Sequence, residues 1–181
     1  QRDGDSGGFQ ASVTVAEVSS MTPIFEAFQS GARSFVVWLG QDSADGEYQL
    51  QGAYSDDRGH SWQTFAFEDL HKFDIGSLQA IADPDGHILI SVTARQRTTP
   101  DIRQDVYLIR SADRGKTWSK AEPLRRGAGQ SEEPDSLKRF HARNPALAFG
   151  DKPGQVLVVW EDWRDIRSTL YASLSEDFGQ T

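Results

Sequence analysis

Ser111-Ala112-Asp113-Arg114-Gly115-Lys116-Thr117-Trp118 decides how this chain is read. Its pattern, Ser-x-Asp-x-Gly-x-Thr-Trp, recurs at Ser55-Asp56-Asp57-Arg58-Gly59-His60-Ser61-Trp62, with Ser61 in the Thr position. A third copy begins at Ser175-Glu176-Asp177-Phe178-Gly179-Gln180-Thr181. Each fixed residue type suits a tight turn. An Asp carboxylate accepts backbone N–H groups of its own turn, and Gly adopts a positive φ. The hydroxyl residues tie the turn ends together, and the Trp is large enough to pack under the next strand. The residues assigned to holding these turns are Ser55, Asp57, Gly59 and Trp62; Ser111, Asp113, Gly115 and Trp118; and Ser175, Asp177 and Gly179. The motif specifies a folded turn and not a reaction.

Around the turns lie short strand-like runs. The first repeat offers strands at 24–28, 34–39, 48–55 and 61–67, and the second at 77–82, 87–94, 105–111 and 117–122. The third offers 145–149, 155–161 and 169–175, without a fourth. Residues 9–18, where Ser12-Val13-Thr14-Val15 alternates, form a further strand-like stretch before the first repeat. Asp57, Asp113 and Asp177 recur at a period of about sixty residues, and such a period marks a repeated supersecondary unit. Four short strands per unit, with a turn signature between the third and fourth, describe a β-propeller blade. Val36-Val37-Trp38 and Val158-Val159-Trp160 take the same second-strand position, as unbroken apolar runs expected to be buried on both faces. Tyr107 and Tyr171 each stand four residues before a turn Ser, which suits packing.

Composition narrows the function classes. The chain has 181 residues, enough for one domain with a substantial core, and 25% are charged. Nineteen basic against 27 acidic residues give a formal charge of −8, which argues against broad binding to nucleic acid or to an anionic membrane. There is no cysteine, so disulfides and thiolate chemistry are excluded. No apolar run approaches the roughly 20 residues of a membrane span. His60, His71, His87 and His141 lack metal-ligand spacing, and neither a metal nor a cofactor is expected. Asp83-Pro84-Asp85-Gly86 reads as the tight turn between the first two strands of its repeat.

With its turns and strand pattern, the chain over residues 21–181 resembles the sialidase superfamily, in which such turns are called Asp boxes or BNR repeats. The resemblance implies an all-β propeller of four-stranded antiparallel blades, six in sialidases, of which this chain holds about three. As one partial propeller over 1–181, its blades would span about 21–68, 77–123 and 144–181. Two arrangements are expected: part of a longer protein, or two copies paired as three-bladed halves, with residues 9–18 completing a blade. Open propeller edges would favour self-association.

Strand parity divides the loops. The Asp-box turns fall on one rim; loops 40–47, 68–76, 95–104, 123–144 and 161–168 fall on the other and carry dense charge. Functional residues are commonly grafted on loops of a rigid scaffold. Sialidases hold their substrate carboxylate with arginines, whose planar forks match it. Ala142-Arg143-Asn144-Pro145 resembles the Phe-Arg-Ile-Pro motif that carries the first of these, with Ala for Phe and Asn for Ile. In Glu161-Asp162-Trp163-Arg164-Asp165, Asp165 matches the family's acid/base aspartate. The resemblance thus implies Asp165 as catalytic and Arg143, Arg164 and Arg95 as substrate-binding. The first two repeats lack the arginine motif, and a Tyr–Glu nucleophile pair would lie beyond Thr181. Two readings follow: a propeller that presents its loops to a glycan or protein, or an exo-α-sialidase. Either suits an extracellular or periplasmic location.

Overall fold

Period-two alternation makes these segments strands, and Gly or Asp at their junctions folds them back on one another. The computed structural model of the chain describes residues 11–18, 24–41, 48–98, 104–124, 142–163 and 167–180. The first sheet pairs β1 (Phe25–Ser30), β2 (Arg33–Gln41), β3 (Tyr48–Ser55) and β4 (Gln63–Ala66) in that order. The second pairs β5 (Phe73–Ala82), β6 (Ile88–Gln96), β7 (Asp105–Ser111) and β8 (Glu122–Pro123). In the third, β10 (Val156–Asp162) lies between β9 (Arg143–Phe149) and β11 (Thr169–Ser175). Every pairing is antiparallel. A short 3-10 turn, Glu68–Leu70, joins the first two sheets.

Two apolar layers hold the sheets together. Phe35, Val37, Leu39 and Leu50 of the first sheet meet Leu78, Ile88, Ile90 and Val92 of the second. On the opposite face of β6, Leu89 joins Val106 and Leu108 against Val156, Val158 and Trp160 of the third sheet. The middle sheet is therefore sandwiched, and β6 is buried continuously from Ile88 to Ala94. Burial on both faces was expected of the 36–38 and 158–160 runs: Val37 and Trp38 are buried and Val36 is half-buried, whereas β10 alternates and Leu157 is exposed. The third sheet has a neighbour on one face only among the described residues. Tyr107 stacks edge-on to Phe73, and Tyr171 lies over Trp160, so both are packing residues.

Other strand expectations also change. β8 is two residues long instead of spanning 117–122, because Ser119 already caps Arg110: its N–H donates to the Arg110 carbonyl and its Oγ accepts the Arg110 N–H. Residues 11–18 form no strand; Ala16 and Glu17 instead line a shallow cleft beside Trp38 and Gln51. The 83–86 turn is as expected: Asp83 Oδ1 accepts the N–H groups of Gly86 and His87, each at 2.8 Å.

The three repeated turns share one hydrogen-bond scheme. In the second, Ser111 Oγ donates to Asp113 Oδ1 at 2.8 Å and accepts the Gly115 N–H at 2.9 Å. Asp113 Oδ1 accepts the Thr117 N–H at 2.9 Å, while Oδ2 accepts the Thr117 hydroxyl at 2.6 Å. Ser55, Asp57, Gly59 and Ser61 repeat these bonds, and Ser175, Asp177 and Gly179 repeat the first part. Positive φ falls on two successive residues: Arg58–Gly59, Arg114–Gly115 and Phe178–Gly179.

Trp118 does not pack under its own fourth strand. It reaches the preceding sheet, stacking on Phe65 at 5.9 Å and meeting Phe35 and Phe67 edge-on. Arg114 likewise lies against Gly31 of the first sheet, and its carbonyl accepts from Arg33. Phe178 stacks on His87 of the second sheet at 3.8 Å. Each of these turns docks backward. Trp62 has no aromatic neighbour among the described residues, and its Nε1 donates to the Gly59 carbonyl at 3.2 Å.

Candidate functional site

Antiparallel order sends β2, β6 and β10 away from the turns, so their C-terminal ends share the opposite end of the sheets with the starts of β5 and β9. Arg143 opens β9 there, exposed to solvent and opposite Glu161 in the ladder. A β-bulge between the pairs Val159–Ala146 and Glu161–Arg143, with the extra residue on β9, brings Arg143 into register with Glu161. Bulges commonly re-aim side chains in this way.

Glu161 is the centre of a small polar network. Its Oε1 accepts the Ser168 hydroxyl at 2.6 Å and the Trp163 indole N–H at 2.9 Å. Its Oε2 accepts the Asn144 amide at 3.3 Å. Asn144 has φ +49, a left-handed conformation that Asn tolerates better than most residues. The Ser168 and Trp163 hydrogen bonds, and the charge of Arg143 in addition, hold the Glu161 carboxyl below the usual carboxylate range. Glu161 is thus a fixed anion and a poor proton donor. Arg143 forms no salt bridge among the described residues, and Trp163 is 42% exposed. Beneath them Asp162 is buried and accepts from the Trp160 indole at 3.4 Å.

Arg95 stands at the corresponding end of β6, but its guanidinium is engaged. Its Nε and Nη2 donate to Asp74 Oδ2 at 2.9 and 2.7 Å. Arg97 donates to the other oxygen of Asp74 at 2.8 Å and to the Tyr48 carbonyl at 3.0 Å, tying the first two sheets together. Asp165 and Arg164 lie outside the described residues. Of the two of these site residues that are described, Arg95 is engaged by Asp74, while Arg143 is exposed and forms no salt bridge among the described residues. Glu161, Asn144, Trp163 and Ser168 were not singled out as site residues, although the Trp-Glu-Asp-Trp run marks their neighbourhood.

Among the described residues no group of His, Asp or Glu is placed to hold a metal ion, and no helix is long and apolar enough to cross a membrane. A groove of about 520 Å³ at the turn end is lined by Arg33, Asp56, Asp113 and Arg114. Arg33 is held there by both oxygens of Asp56 at 2.7 Å. The charge at that end serves the fold. Among the described residues at the opposite end, a cation without a salt bridge, a hydrogen-bonded anion and an exposed ring suit the binding of an anionic ligand.

No protein-family model and no curated protein matches the sequence. Among solved structures, the fold is similar to that of the protein titled "Hadza microbial sialidase Hz136", with a TM-score of 0.53 at 15% identity. The likeness covers 88% of this chain and 32% of that one, so the chain spans about a third of that sialidase's length. At this identity the likeness is one of fold.

Proposed function

We propose that the three sheets are successive blades of a sialidase-like propeller, with the repeated turns as its Asp boxes, and that the end opposite those turns binds an acidic glycan. The observation that carries this reading is Arg143: an exposed residue without a salt bridge among the described residues, whose cross-strand neighbour Glu161 accepts hydrogen bonds on both carboxylate oxygens. A planar guanidinium fork matches a carboxylate with two parallel hydrogen bonds. A sialic acid supplies such a carboxylate on an otherwise neutral sugar. An extracellular or periplasmic setting would suit this reading.

The fold likeness to a sialidase favours a second reading, exo-α-sialidase activity with Asp165 as acid/base and Arg164 beside Arg143. A fluorogenic sialoside assay separates the two, since binding without turnover leaves the first. In either reading Arg143→Ala lowers sialoside affinity about tenfold or more, the scale of one charge-assisted contact. Titration calorimetry of this variant against the unmodified protein checks it, and equal affinity overturns the assignment of Arg143.

A further inference from the structure

The Trp163 indole is exposed, yet it is not loose. Its Nε1–H is committed to Glu161 Oε1 at 2.9 Å, and the same oxygen accepts the Ser168 hydroxyl at 2.6 Å. Asn144 fixes the other oxygen from the neighbouring strand. A ring that has surrendered its one donor inward presents only its π face and edge outward. Its rotamer is set before any ligand arrives, which lowers the ordering cost of binding. Packing alone does not account for this arrangement, because a packing Trp buries its ring, as Trp160 does three residues earlier. The same carboxylate that anchors the indole belongs to the residue opposite Arg143 in the ladder, so ring and cation are both neighbours of Glu161.

We infer that Trp163 is a specificity-determining platform on which the C–H face of a pyranose ring lies while the sugar's carboxylate is held by Arg143. The inference rests on the acidic-glycan reading above and deepens it. Glu161 does not contact the sugar; it is a positioning residue, and its charge excludes a ligand carboxylate from its own side, directing it to Arg143. Neutral sugars would keep the stacking contact and lose the ionic one.

The test titrates the folded chain with 3′-sialyllactose and with lactose, beside Trp163→Ala, Trp163→Phe, Ser168→Ala and Arg143→Ala. The expected results are preference for 3′-sialyllactose, a loss of about tenfold in Trp163→Ala, and a smaller loss in Trp163→Phe, which keeps a ring but not its anchor. Ser168→Ala, which loosens the anchor without touching sugar, is expected to weaken binding about threefold, with Ser168→Thr restoring it. Saturation-transfer NMR on the unaltered protein reads the stacking directly, so it does not depend on any variant folding. Strong transfer from aromatic protons to the sugar ring C–H groups supports the platform. If 3′-sialyllactose binds, Arg143→Ala abolishes that binding and Trp163→Ala leaves it unchanged, the platform falls while the acidic-glycan reading stands. If the unaltered protein binds neither sugar, both fall.

Discussion

Gly59 and Gly115 occupy the same place in two copies of one turn, with φ of +88 and +73. Their surroundings differ. A Cβ on Gly115 would lie 2.5 Å from the Phe35 ring of the preceding sheet, whereas a Cβ on Gly59 would meet nothing nearer than Trp62 at 3.9 Å. Both Ala variants pay for the left-handed backbone, about 1 kcal/mol. Gly115→Ala also forces the Phe35 contact apart, for a total of about 2–4 kcal/mol. Chemical denaturation of the pair is expected to show that difference; equal losses would mean that the second turn does not press on Phe35. Asp113 gives a pH signature. Burial pushes its carboxyl up, but hydrogen bonds from Thr117, Ser111 and Lys116 outweigh this and hold it down at about 2. An unfolded Asp titrates near ~4. Between those values the unfolded chain takes up a proton that the folded chain refuses, so stability is complete above about pH 5 and falls as pH drops toward 2. Asp113→Asn is expected to flatten that part of a urea-midpoint profile recorded from pH 7 to 2.5.

At the scale of elements, Trp118 and Trp62 divide one motif position into two roles. Trp118 closes an aromatic cluster with Phe35, Phe65 and Phe67 across the first two sheets. Trp118→Ala is therefore expected to cost about 3 kcal/mol. Trp62→Ala, lacking such a cluster among the described residues, should stay within about 1 kcal/mol. Thermal melts of both variants decide whether the cluster is the interlock between sheets. The turns themselves were legible in the sequence because their bonds run only two to four residues along the chain, between residue types that recur. The direction in which Trp118 points was not legible, since it depends on a sheet formed some fifty residues earlier. Strand ends blurred for the same reason: Ser61, Trp62 and Ser119 look like strand residues but serve the turns. The network around Glu161 was hidden more deeply. Asn144 and Glu161 are 17 residues apart and meet only because β9 and β10 pair with a bulge.

Across the whole molecule, the outward face of the third sheet stands apart from the two filled layers. Leu170 and Leu174 are 75% and 59% exposed, and Leu157 stands opposite Leu174 on the same face. Beside them β11 has a partner strand on one side only among the described residues. An apolar face next to an open edge is prone to association. Sedimentation of this chain at rising concentration is expected to show reversible self-association, reduced by Leu170→Asp with Leu174→Asp. A monomer that is unaltered by concentration would exclude it. The acidic excess noted in the sequence does not prevent this, because Leu157, Ala172 and Leu174 are uncharged and the charge on this face, Glu161 opposite Leu170, lies at its far end.

The backward docking of the turns bears on how the chain is made. Trp118 grips the first sheet and Phe178 the second, so each new turn finds its partner already synthesised. A nascent chain emerging from the ribosome at ~5–20 residues per second then has time to settle one sheet before the next arrives. The contacts let the order of assembly follow the order of translation, since each of these turns meets a partner that precedes it in the chain.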